Sequence, residues 1–155
     1  MRIHLIAVGE KMPAWVVTGF EEYRKRLGVE CSLQLVEIAA EKRGSATNTQ
    51  RVLAKEAQRL LAAVPRGAHV IALERQGKDW STRDLADRLQ SWMQSGQDVV
   101  LLVGGPEGLA PEVLQQANEQ WSLSPLTFPH AMVRIIVAEQ IYRACSILKN
   151  HPYHK

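Results

Sequence analysis

Apolar residues along this chain gather in short runs, separated by stretches where they recur every three or four positions. Ile3, Leu5, Ile6, Ala7 and Val8 form the first run and predict a strand over Arg2–Val8. After Pro13, the residues Val16, Phe20, Tyr23 and Leu27 follow at helical spacing and predict an amphipathic helix. Ser32–Ile38 alternates, with Leu33 and Leu35 on one side, and reads as a second strand. Glu41–Thr49 is polar, holds Lys42, Arg43 and Gly44, and reads as a surface loop. Arg51–Val64 predicts a second helix with Val52, the Lys55 stem, Ala57, Leu60 and Leu61 on its inner side; Pro65-Arg66-Gly67 stops it.

The second half repeats the alternation. His69–Leu73 is a third strand, followed by a polar loop over Glu74–Trp80 that contains Gly77-Lys78. Ser81-Thr82-Arg83-Asp84 has the form of a capping box, and the helix after it carries Leu85, Leu89, Trp92 and Met93 to an end near Gly96. Asp98–Val103 is almost continuously apolar, as a parallel strand buried on both faces should be. Gly104-Gly105-Pro106-Glu107-Gly108 follows at once, Pro111 starts a helix, and Trp121–Leu123 is a last short strand. A long helix occupies Ala131–Leu148, and Asn150–Lys155 forms a tail. Strands alternating with helices predict one α/β domain over residues 1–155, with a mostly parallel sheet and helices on both faces.

Composition narrows the class. The chain has 155 residues, 46% apolar and 23% charged, ordinary values for a soluble globular domain of this size. The first residues are too interrupted for a signal peptide, and no run is long enough to span a membrane. The expectation is a cytoplasmic protein with no membrane partner. Cys31 and Cys145 match no metal-ligand spacing and read as reduced filler near the core. The histidines do not pair with carboxylates at ligand spacing, so no metal site is expected.

In an open parallel sheet, ligands sit beyond the carboxyl ends of the strands. Three segments leave such ends: Glu74–Trp80, Gly104–Gly108 and Ser124–Pro129. All three look built to present backbone rather than side-chain chemistry. The paired glycines at 104 and 105 suit either a tight turn or close backbone approach to a ligand. They match neither the Walker pattern nor Gly-x-Gly-x-x-Gly. Ser124-Pro125-Leu126-Thr127-Phe128-Pro129 is either a stiff apolar wrap for a ligand or a proline-braced connection.

The net charge is +3, and the last segment carries Arg134, Arg143, Lys149 and Lys155 against Glu139. Two readings stand: an anionic partner such as RNA, or cations suited to a helix C-terminus. Met132–Ala138 is apolar almost all round apart from Arg134, which suggests a subunit interface and a homodimer. Arg134 and Arg143 on that helix should pair with a carboxylate, Glu139 being one candidate, or bind phosphate. Tyr153 among His151, His154 and Lys155 suits stacking on bases of looped RNA.

Several separated motifs then point one way. Val8-Gly9-Glu10-Lys11-Met12-Pro13-Ala14-Trp15, Leu102–Leu109, Trp121-Ser122-Leu123-Ser124, Leu126-Thr127, Pro129-His130 and Asn150-His151-Pro152-Tyr153-His154 occur in order across the whole chain. Together they resemble the RlmH family, SPOUT-class enzymes that methylate N3 of a pseudouridine in 23S ribosomal RNA. The resemblance implies a C-terminal trefoil knot, S-adenosylmethionine (SAM) as methyl donor, an obligate homodimer with a site completed across the interface, and RNA read on the assembled ribosome. It implies SAM contacts at Leu73, Gly104, Leu123, Ser124, Pro125, Leu126, Thr127 and Phe128. Within that scheme Arg143 would anchor RNA or stabilise charge, His151 or His154 would accept a proton, and Tyr153 would position the base. The competing readings are a SPOUT enzyme acting on another RNA, such as transfer RNA, and a non-catalytic ribosome-binding module.

Overall fold

The computed structural model describes residues 1–44 and 48–155; part of the expected 41–49 loop lies outside the described residues. The elements in chain order are β1 (Arg2–Val8), α1 (Ala14–Arg24), β2 (Ser32–Ile38), α2 (Thr49–Ala62), β3 (His69–Asp79), α3 (Thr82–Ser95), β4 (Val99–Val103), α4 (Pro111–Gln116), β5 (Glu119–Ser122) and α5 (His130–Leu148). The strands form one five-stranded sheet in the order β2-β1-β4-β3-β5. Every ladder is parallel.

The pleat sends alternate side chains to two cores. Ile3, Leu5, Ala7, Ile71, Val99, Leu101 and Val103 meet residues of α1, α3 and α5, among them Phe20, Leu89, Val137 and Ile141. Ile6, Val8, Ala72, Val100 and Leu102 meet α2 and α4 through Ala57, Leu60 and Val113. Central β4 is buried at every residue. That double burial explains why its sequence shows no alternation. Among the described residues no helix is long and apolar enough to cross a membrane.

Three expectations need correction. The stretch Glu74–Trp80 is not a simple loop, because β3 runs on to Asp79. The ladder to β5 breaks between Leu73 and Lys78, then Lys78 and Asp79 rejoin opposite Trp121 and Ser122. Gly77 makes this possible: a Cβ there would stand 2.7 Å from the Gln120 carbonyl. The last strand is Glu119–Ser122 rather than Trp121–Leu123, since Ile71 and Ala72 pair with Glu119 and Gln120. On α2 the inner position belongs to Glu56, 2% exposed, and Lys55 lies outside. Glu56 is tolerated there because Arg43 reaches it at 3.0 Å and the Glu41 N–H donates to it at 3.0 Å.

The capping box on α3 forms as expected, with Ser81 and Asp84 bonding each other's backbone. Cys31 and Cys145 are free and buried. Helix α5 is covered largely by α1 and α3 of its own chain. Its Met132 stays 40% exposed, and Trp15 and Val17 on α1 are more than half exposed.

Candidate active site

The middle of β3, where its ladder to β5 breaks, and the carboxyl ends of β4 and β5 converge on a cavity of about 390 Å³. Its apolar wall is Leu73, Leu123, Leu126, Phe128 and Val133, and its polar wall includes Glu74, Glu107, Ser124 and Thr127. Seven of the residues that the sequence singles out therefore meet in one place: Leu73, Gly104, Leu123, Ser124, Leu126, Thr127 and Phe128. Pro125, which has no N–H to offer, is not on the wall. It sits at a turn in which the Leu126 N–H donates to Ser124 Oγ at 3.0 Å.

The glycines are needed here for approach. A Cβ on Gly104 would lie 2.3 Å from the Gly108 carbonyl oxygen. Gly105 and Gly108 bridge each other, with the Gly108 N–H donating to the Gly105 carbonyl at 2.9 Å. Only a chain without side chains folds back this closely beside a cavity. Two tethers hold the rim. Arg43 Nε donates to Glu107 at 2.7 Å, and Arg75 donates to the Thr127 hydroxyl.

Sequence reasoning gave His130 no role, yet its side chain lines the cavity. Burial, with the cations Arg134 and Arg43 nearby, holds its imidazole below the ordinary histidine range, so the ring is neutral at pH 7. The signal in the sequence was the Pro129-His130 pair opening the last helix; the neighbours that neutralise it come from elsewhere in the chain. Beneath it Arg134 is 1% exposed. Its carboxylate partner is Glu37, at 2.6 Å, rather than Glu139, and it also donates to the Gly9 carbonyl at 2.8 Å.

The C-terminal residues form a second group at the far end of α5. Arg143 pairs with Glu139 at 2.6 Å, stacks over the Tyr153 ring at 4.7 Å and meets His154 Nδ1 at 3.3 Å. Tyr153 donates its hydroxyl to Glu139 at 3.2 Å and packs edge-on to Tyr142. His151 Nδ1 accepts the Tyr153 N–H at 3.2 Å. A guanidinium only donates, so His154 Nδ1 accepts as well. With Nδ1 accepting, Nε2 is the ring nitrogen left to donate in each. Arg143, Tyr153 and His154 are thus brought together, with His151 beside them. They are not brought to the cavity: from His130 to Arg143 the helix advances about 20 Å at ~1.5 Å per residue.

Comparison with known proteins adds the following. A family model described as "Predicted SPOUT methyltransferase" matches residues 1–154. The chain is 56% identical over 155 residues to a protein of Methylococcus capsulatus named Ribosomal RNA large subunit methyltransferase H, covering 100% of both. A protein of the same name from Nitrosococcus oceani is 55% identical, with 100% of this chain and 99% of that protein covered. Among solved structures, a probable methylase family protein of Haemophilus influenzae superposes with a TM-score of 0.57 at 14% identity, over 99% of this chain and 70% of that one. That last likeness is one of fold alone.

Proposed function

We propose, from the premise that this chain belongs to the SPOUT methyltransferase family, that it is a methyltransferase of large-subunit ribosomal RNA. The homologues carry that activity in their names. We further propose SAM as methyl donor and N3 of a pseudouridine in 23S RNA, on the assembled ribosome in the cytoplasm, as acceptor. The observation that carries the reading is the cavity at the break in β3 and the ends of β4 and β5. Its size falls within the roughly 300–1,000 Å³ typical of small-molecule sites. Its pinched glycine turn leaves backbone groups beside an apolar wall, which suits a nucleoside carrying an apolar chain.

When bound, SAM supplies an electrophilic methyl group. Leu73, Leu123, Leu126 and Phe128 would enclose it, Gly104 would let the backbone approach, and Ser124 and Thr127 would supply hydroxyls. Glu74, Glu107 and Arg75 also line the cavity, with Glu107 paired to Arg43. The family's trefoil knot would hold these segments together.

The RNA nitrogen must lose its proton before it attacks. His130, on the cavity wall and with a lowered pKa, would accept it. Arg143 would balance the developing negative charge. Tyr153 would stack on the base, and His151 and His154 would offer Nε2–H donors to it or its phosphate. These four lie too far from the cavity of their own chain, so the working site takes them from a second copy. Exposed Trp15, Val17, Leu126 and Met132 suit that contact, and the proposed assembly is a homodimer.

The test is methyl transfer from labelled SAM to whole ribosomes, separated subunits and naked RNA from cells lacking the modification. Label should appear in 23S RNA of assembled ribosomes. A Thr127→Trp variant, changed at an exposed residue of the cavity wall, should fold, lose SAM binding and transfer nothing. SAM binding with no label in any ribosomal substrate would move the search to transfer RNA. No SAM binding at all would leave a ribosome-binding module without catalysis.

A further inference from the structure

The positive charge of the last segment is mostly neutralised at home. Arg134 pairs with Glu37, Arg143 with Glu139 and Lys149 with Glu30. Open cations gather at a different place. Because all strands are parallel, the segments after β1 and β2 emerge at the same end of the sheet as the cavity. The two strands end in register, and the Gly9 N–H donates to the Ile38 carbonyl at 2.7 Å. Exposed Lys11 and Lys42 stand on these two segments.

Helix α2 starts from that same end. Arg51, Lys55 and Arg59 are spaced four apart and share one stripe, about 12 Å long at ~1.5 Å per residue. Glu41 is the carboxylate facing the stripe, 3.3 Å from Arg59 and 3.9 Å from Lys55. Together with the Lys42 N–H, the field of Arg59, Lys55 and Arg51 keeps its carboxyl below the usual range. The first turn of α2 carries no acidic residue, and Arg51 stands there at the positive end of the helix dipole. That placement disfavours an isolated helix. Among the described residues of both segments and the stripe, the five cations Lys11, Lys42, Arg51, Lys55 and Arg59 stand against two carboxylates, Glu10 and Glu41, besides Arg43, which is matched by Glu56 and Glu107. Arg43 also fixes where the patch lies, since Glu107 is on the cavity wall.

We infer that the α2 stripe, with Lys11 and Lys42 beside it, seats the phosphodiester backbone of the RNA whose base enters the adjacent cavity. The inference rests on the ribosomal RNA reading above and adds where the strand lies. Lys and Arg in excess over their carboxylates release counter-ions when they meet phosphate, and such contacts set register rather than sequence. The tail would then hold the base while α2 holds the strand leading to it.

A triple variant, Arg51→Gln, Lys55→Gln and Arg59→Gln, tests this in the full chain. At about 0.15 M salt its KM for modification-free ribosomes should rise about 10- to 100-fold. kcat at saturation and the Kd for SAM should not move. The slope of log KM against log salt should fall by about two to three, near one per lost phosphate contact. Arg66→Gln, at the opposite end of α2, should behave as wild type. Arg59 also donates to the Ala39 carbonyl at 3.0 Å. If the triple variant melts early, the Arg51→Gln, Lys55→Gln pair repeats the measurement without that bond. Unchanged KM and salt slope in a triple variant, beside an active wild type, overturns the inference and leaves the enzyme reading intact. If the wild type labels no ribosomal RNA, binding of a fluorescent RNA stem-loop decides instead. Loss in the triple variant supports the seat, and equal binding rejects it.

Discussion

At the scale of single residues, charges that ought to be costly are placed where one partner makes them tolerable. Arg134 is the clearest case, buried between Gly9 and Glu37. Removing its counter-ion with Glu37→Ala should destabilise the fold by about 2–3 kcal/mol, at or below the low end for a broken buried pair because Glu37 is itself 37% exposed. Urea titration with an unchanged m-value would register this. His130 calls for a kinetic test. Its pKa is lowered by burial and by Arg134 and Arg43, so the ring protonates only as pH falls below its ordinary value near 6.5. Methyl transfer at saturating substrates should therefore hold steady from pH 8 to below 6.5, then decline as the acceptor is lost. His130→Gln should cost about 10²- to 10⁴-fold in rate and abolish that decline. A variant that kept the same acid limb would move the acceptor role to another group. That Arg134 would need a carboxylate was legible in the sequence; that Glu37 supplies it was not. Apolar spacing put Lys55 inward, but a buried Glu56 appears only once Arg43, from another segment, is known to reach it.

At the scale of elements, periodicity performed well wherever pairing and period agreed. Strands β1, β2 and β4 occupy nearly the expected residues, and the Ser81 cap starts α3 as its sequence pattern implied. It failed where distant pairing overrode local polarity. Nothing in Gln76-Gly77-Lys78-Asp79 announces a strand; the sheet takes it back because Trp121 and Ser122 offer a ladder and Gly77 clears the way. The irregular span between Leu73 and Lys78 pushes Glu74 and Arg75 to the cavity rim. The tail shows the reverse case. Six polar and aromatic residues at a chain end would ordinarily fray. Here the His151 N–H returns to the Ser146 carbonyl at 2.9 Å, and Tyr153 and His154 fold back on Arg143. The cavity-lining segments were legible because separated family motifs lie on loops that a parallel sheet must bring together.

At the scale of the whole molecule, cavity and tail stand at opposite ends of α5, and the proposed site exists only between two chains. This predicts complementation. Thr127→Trp and Arg143→Ala homodimers should each be inactive, whereas a random equal mixture of the two chains should regain about a quarter of wild-type activity. Half of the mixed dimers' sites would then combine an intact cavity with an intact tail. No recovery on co-expression, with mixed dimers shown to form, would place both halves of the site in one chain. The strand order has another consequence, for how the protein is made. Strand β4 lies between β1 and β3 yet is synthesised after both, and α5, which closes one core with Val137, Ala138, Ile141 and Ala144, comes later still. A growing chain that has reached Gln97 holds the β1–β2 pair and a β3 with neither of its neighbours, and no lid. Such long-range pairing is slow to assemble. Each copy must therefore leave the translating ribosome essentially complete before it can fold, exposed meanwhile to chaperones and proteases.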